Sequence, residues 1–125
     1  MTTIIPSNIH LHQRAGILDL TWDDATYSLT AEYLRVHSPS AEVQGHSPDQ
    51  AVLESGKRGV RIKTLDPQGH YAVRIEFSDG HDSGIFTWEY LHELATKHDI
   101  LWQRYLDALH RQGASREPRF IAVSH

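Results

Sequence analysis

The chain has ten histidines and no cysteine, so metal and proton chemistry falls to imidazole, carboxylate and hydroxyl groups. Disulfides and thiolate metal sites are excluded. The histidines form three groupings of interest. His10 and His12, in Ile9-His10-Leu11-His12, share one face of an alternating stretch and lie near enough to hold one ion. A pair without a third ligand is more often a solvent-facing alternation. His37 and His46 flank a polar, irregular segment, and His81 follows an Asp79-Gly80 turn beside Asp82. Convergence of His37, His46 and His81 would create a site for zinc or another divalent metal. The competing reading makes them surface or hydrogen-bonded structural histidines.

The patterns that mark nucleophilic and phosphate chemistry are missing. There is no Gly-x-Ser-x-Gly elbow. Gly56-Lys57-Arg58-Gly59 lacks phosphate-loop spacing and reads as a turn with two solvated cations. Neither a His-x-x-x-His zinc pair nor a His-x-Asp or His-x-Glu iron motif occurs. An acid–base pair of His81 and Asp82 is disfavoured, because neighbours on a strand point to opposite faces. With no catalytic constellation, the chain is not expected to be an enzyme.

The elements that would position these residues follow from periodicity. Ile9 to His12, then Leu18, Leu20 and Trp22, then Tyr27 to Leu29 read as three short strands of an antiparallel meander, turning at Gly16 and at Asp23-Asp24. Thr30 suits the cap of a short helix through Tyr33, Leu34 and Arg35, which Pro39 stops. Ser38 to Gly59 is the long irregular segment, with one helical turn expected near Gln50 to Leu53. Strands are expected at Val60 to Lys63, at His70 to Phe77 and, beyond a two-residue hairpin at Asp79-Gly80, at Gly84 to Thr87. Trp88, Leu91, Leu94, Ala95, Leu101, Trp102, Tyr105 and Leu109 fall at helical spacing, interrupted near Lys97-His98 with Asp99 as a second N-cap. That stripe packs on the sheet or, in its second half, joins two copies of the chain. The pattern predicts an α+β domain over residues 1–112, with one small, mostly antiparallel sheet of five to six short strands and a C-terminal helical segment on it. Residues 113–125 read as a flexible tail.

A chain of 125 residues fits one domain. The formal charge of −4, with both signs interspersed, argues against a nucleic-acid partner. Neither a signal-peptide pattern at Met1 to Asn8 nor a membrane-spanning apolar run is present. A cytoplasmic protein is expected, with no membrane partner.

Four blocks carry a family resemblance: Trp22-Asp23-Asp24, Leu34 to Glu42 (Leu-Arg-Val-His-Ser-Pro-Ser-Ala-Glu), Phe77 to Gly84 (Phe-Ser-Asp-Gly-His-Asp-Ser-Gly) and Thr87 to Leu91 (Thr-Trp-Glu-Tyr-Leu). In order and spacing the chain resembles the DUF971 family, the γ-butyrobetaine hydroxylase-like N-terminal domain, from about Ile9 to Ala95. In carnitine-pathway hydroxylases this domain precedes an iron(II)/2-oxoglutarate catalytic domain and carries a structural zinc held by three cysteines and a histidine. Those cysteine positions fall here on Ser38, Ser40 and Val43, and the histidine on His81. Serine hydroxyls are poor zinc ligands at neutral pH and valine is none. The family zinc site is expected to be lost unless His37 or His46 substitutes, with hydrogen bonds from Ser38 or Ser40 to His81 or Asp79 holding the loop in its place.

The catalytic domain and its iron triad have no counterpart, so hydroxylase activity is not carried over. The domain is also similar to modules attached to Mrp-type ATPases of iron–sulfur cluster assembly, which implies an accessory role. Two functional readings result. One is an interaction module that meets a protein partner through Arg35, Ser38, Ser40, Glu42, Asp79, Asp82 and Trp88. The other is a metal-binding protein using His37, His46 and His81. The bland alternative is that Arg35, Asp79 and Asp82 only tie the loop to the sheet.

Overall fold

The computed structural model describes residues 4–40 and 53–118. Its elements are β1 (Asn8–His12), β2 (Ile17–Trp22), β3 (Ala25–Thr30), α1 (Ala31–Val36), β4 (Ile62–Gln68), β5 (Ala72–Phe77), β6 (Gly84–Thr87), α2 (Trp88–Thr96) and α3 (His98–Arg111). The α+β class and the strand count agree with the sequence pattern. The strands, however, form two three-stranded antiparallel sheets, β1-β2-β3 and β4-β5-β6, instead of one.

Alternation explains the first sheet. Leu18, Leu20 and Trp22 of β2 turn inward, while Ile17, Asp19 and Thr21 remain half-buried on the outer face. The β2–β3 turn places Asp23 at φ 51°, a left-handed conformation that aspartate tolerates better than most residues. The next turn, from β1 to β2, uses Gly16 at φ 66° and donates its N–H to the His12 carbonyl at 2.9 Å. Thr30 ends β3 and caps α1, its hydroxyl accepting from the Tyr33 N–H at 3.0 Å. Thr87 repeats the device where β6 passes into α2, accepting from Tyr90 N–H at 3.1 Å.

In the second sheet the edge strand expected at Val60 to Lys63 begins later, at Ile62, and runs on to Gln68. It runs through Pro67, which pairs with Val73. Proline is tolerated there because one side of β4 has no ladder to donate to. The β4–β5 hairpin turns at Gly69, φ 56°, so the strand expected from His70 begins only at Ala72. Between β5 and β6, Asp79-Gly80 belongs to a wider connection: Phe77 N–H donates to His81 O at 2.8 Å and Gly80 N–H to Phe77 O at 3.0 Å. Of the helical turn expected at Gln50 to Leu53, only Leu53 is among the described residues, and it is not helical.

One core unites both sheets with α1 and α2. Leu18, Leu20, Trp22 and Leu29 meet Val73, Ile75, Phe77 and Phe86, and Tyr33, Leu34, Leu91 and Leu94 fill between them. A second, smaller cluster of Val36, Tyr105 and Leu109 seats α3. The amphipathic stripe therefore buries itself within the chain. The helix break falls at Lys97, but Asp99 is not its cap. Lys97 stays near helical geometry (φ −104°, ψ 19°) and no side chain caps α3. Chain direction changes without an extended capping residue, and Asp99 instead lies 3.0 Å from the neighbouring His98 ring nitrogen. Among the described residues no helix is long and apolar enough to cross a membrane.

Residues 113–118, expected in a loose tail, are fastened to the domain. Arg116 donates twice to buried Glu32, Nη2 to Oε1 at 2.7 Å and Nε to Oε2 at 2.9 Å. Its guanidinium also lies 5.0 Å from the Trp102 ring centroid. The backbone adds Gly56 N–H to Ser115 O at 2.8 Å and Arg58 N–H to Arg116 O at 3.0 Å. Because Glu32 would be left buried without its cation, Arg116→Ala should destabilise the fold by about 1–3 kcal/mol, measured by urea unfolding at pH 7. An unchanged midpoint would mean the stretch is merely laid on the surface.

Candidate functional site

The residues that follow α1 and those between β5 and β6 meet in a buried corner. Helix α1 ends as His37 and Ser38 fold their N–H groups back to Tyr33 O and Arg35 O, both at 3.3 Å. This turns Ser38 inward, where it is fully buried, while Ser40 and His81 are nearly so. The Ser38 hydroxyl is 2.9 Å from His81 Nε2, and the Ser40 hydroxyl 3.3 Å from the same nitrogen. Ser40 N–H also points at Ser38 Oγ, at 3.4 Å. The Tyr90 hydroxyl, from α2, donates to the His37 carbonyl at 2.5 Å and fixes the loop from the other side.

An ionic layer lies beside this hydroxyl–imidazole contact. Arg35 Nε donates to Asp79 Oδ2 at 2.9 Å, and Lys57 Nζ to the same oxygen at 2.7 Å. Asp79 Oδ1 accepts the His81 N–H at 3.2 Å. Arg35 Nη1 is buried and has no hydrogen-bond partner among the described residues. Its nearest ion-pair contact is Glu54 Oε1, at 3.6 Å. Burial alone would raise the Asp79 pKa. The donors from Lys57, the His81 backbone and Arg35 outweigh it and hold the carboxyl at about 2.

The corner does not suit catalysis, because Ser38 offers no surface to a substrate and Asp79 is held by two cations. It does not suit zinc either. One imidazole and two neutral hydroxyls are a weak donor set for an ion that selects thiolate, imidazole and carboxylate. The chain has no cysteine at all. His37 is engaged elsewhere: its Nδ1 is 2.8 Å from the Tyr33 carbonyl and its ring lies 4.6 Å from that of Tyr33. Burial keeps its pKa below the ordinary histidine value. His46 and Glu42 lie outside the described residues, as does Val43.

The exposed recognition surface drawn from the sequence needs correction. Arg35, Ser38, Ser40 and Trp88 are buried, with Arg35 held by Asp79 and the two serines by His81. Trp88 lends its indole N–H to the His70 carbonyl at 2.9 Å. Asp79 and Asp82 are the exposed members of that set among the described residues, and Asp82 lies 3.7 Å from Arg74 across the β5–β6 pair. Sequence reasoning missed Glu54, Lys57 and Tyr90. Lys57, expected as one of two solvated cations in its turn, instead reaches a carboxylate 22 positions away, which nothing in the local sequence signals.

Fold and corner together define an α+β domain in which the loop after a short helix is clamped to a β-hairpin. The sequence profile of the γ-butyrobetaine hydroxylase-like N-terminal family matches residues 9–92, and the chain belongs to that family. It is similar to a protein solved by NMR in solution with which it shares 49% identity over 99% of this chain and 98% of the other, with a TM-score of 0.84. A second NMR structure shares 39% identity over 100% and 98%, with a TM-score of 0.77. A crystal structure of a DUF971-family protein of unknown function from Acidithiobacillus ferrooxidans ATCC 23270 shares 41% identity over 72% of this chain and 91% of the other, with a TM-score of 0.59. No curated protein matches.

Two outcomes test the corner. A methyl group on Gly84 would overlap the Ser38 hydroxyl, so Gly84→Ala should cost about 1–3 kcal/mol. In a Ser38→Ala background it should cost less. A denaturant double-mutant cycle showing strict additivity would refute the contact. Asp79→Asn should destabilise by about 1–3 kcal/mol at pH 7. Since the folded carboxyl is held at about 2 and the ordinary value is 3.8, this contribution is full above about pH 4 and fades as pH falls towards 2. The gap between wild type and variant, followed by urea unfolding, should narrow over that window. A constant gap would remove the ionic role.

Proposed function

We propose that this chain is a non-catalytic accessory domain of the cytoplasm that docks on a protein partner. The observation that carries this reading is the Ser38–His81 contact at 2.9 Å in a buried corner. The described part of the family's signature blocks places Ser38, Ser40 and His81 in the interior, where they hold one another. Membership in a family described as the N-terminal part of a hydroxylase supports an accessory role.

The rim of the corner supplies the meeting surface. Ile85 on β6 is one of the large apolar residues left exposed, at 41%. In register with it stands Arg74, which also reaches Asp82. An exposed apolar side chain ringed by charges is the usual composition of a small protein-binding patch, where apolar burial supplies affinity and rim charges set orientation.

The experiment is capture from native cytoplasm on the full chain and on a double variant, Asp82→Arg with Ile85→Arg, followed by titration of each purified partner against both. The expected result is one or more partners bound by the wild type and weakened at least tenfold by the variant, with circular dichroism unchanged. Equal affinity for the two proteins, or no partner above background, would overturn the reading.

A further inference from the structure

The outer face of the first sheet brings together groups that the corner does not use. His10 and His12 project on the same side of β1, and register sets His10 opposite Asp19 and Asp19 opposite Ser28. The two imidazole rings lie 4.3 Å apart between centroids. Asp19 Oδ2 is 2.8 Å from His12 Nε2, and Ser28 Oγ donates to Asp19 Oδ1 at 2.6 Å. Both imidazoles are open to solvent, unlike His37 and His81.

This arrangement fixes a tautomer. A carboxylate only accepts, and Asp19 takes the Ser28 hydroxyl on one oxygen and faces His12 with the other. Nε2 of His12 therefore carries the proton, and in neutral His12 the lone pair resides on Nδ1. A histidine whose second nitrogen donates to a carboxylate, which is itself hydrogen-bonded, is the form in which imidazole ligates metals most strongly. The ring of His10 stands next to it.

We propose that His10 and His12 form a two-imidazole chelate for a divalent transition ion of borderline softness, with Asp19 and Ser28 orienting His12 from behind. Among the described residues there is no ready-made group of three His, Cys, Asp or Glu ligands. The site is accordingly an open surface chelate whose remaining positions are filled by water. Nitrogen ligands select copper(II), nickel(II) and zinc(II) over magnesium and calcium, and copper(II) should bind most tightly. The inference goes beyond the docking role and stands independently of it.

The test uses the untagged full chain, titrated with copper(II), nickel(II), zinc(II) and magnesium chlorides by calorimetry. Paramagnetic broadening by nickel(II), read in NMR spectra, maps the site. The expected result is one equivalent of each transition ion, none of magnesium, and broadening centred on His10 and His12. His10→Ala and His12→Ala should each weaken binding more than tenfold. Asp19→Asn should weaken it roughly ten- to hundredfold, while His110→Ala, on α3, leaves it unchanged. His12→Gln serves as a second variant should His12→Ala disturb β1, with circular dichroism as the check on folding. Unchanged affinity in the His10 and His12 variants, broadening centred elsewhere, or no binding at micromolar ion would overturn the proposal and leave the rings as a stacked pair only.

Discussion

The contact between the Ser38 hydroxyl and the His81 ring joins two parts of the chain that lie 43 residues apart. It ties the end of α1, and with it the first sheet, to the connection between β5 and β6 in the second sheet. In a low-dielectric corner a hydroxyl and an imidazole left unpaired would each cost more than the pair contributes. The geometry is therefore enforced by the penalty for breaking it as much as by the strength of the bond. The approach is close because residue 84 is glycine: any larger residue would displace the serine hydroxyl. The ionic layer acts on the same joint, since Asp79 receives the His81 N–H on one oxygen and Arg35 and Lys57 on the other. The His81 backbone, a guanidinium and an ammonium group are thus held by a single carboxylate.

A clamp built from serine and histidine differs physically from one built from thiolates and zinc. Metal–thiolate closure adds a large folding free energy that depends on metal supply and on pH, because ligands must lose protons to bind. Hydrogen bonds among neutral groups add far less each, and none of them requires a metal. The smaller contribution is offset by distributed contacts: Tyr90 to His37 O from α2, Tyr33 to Leu94 O at 2.7 Å, and the Arg116–Glu32 pair. All three bind the polar rim of α1 to the C-terminal helical region. The described corner is held by several moderate joints.

Much of this fold was legible in the sequence because it follows from period and punctuation. The alternation Leu18, Leu20, Trp22 and the threonines ahead of each helix state their own structure. So did the proximity of the serine loop to His81, once the family blocks were aligned. What escaped was information carried by long-range partners. The division into two sheets depends on which edges pair, which alternation does not specify. Strand β4 passes through Pro67 only because it is an edge. Burial of Arg35 could not be read either, because an arginine is buried or exposed according to whether an acceptor waits for it in the folded chain.

The same consideration separates the two histidine regions. At the corner, the imidazole is enclosed by hydroxyls, and any ion would have to displace contacts that the core has already closed. On the outer sheet face, the imidazoles share a strand face with spacing set by the pleat, and a carboxylate in register with His10 holds the ring of His12. Solvent can enter and leave there without unpacking the domain. Family descent directs attention to the buried histidine, while accessibility and lone-pair geometry direct it to the exposed pair. Ligand exchange requires open positions around the ion, and the outer face is the one of the two regions that has them.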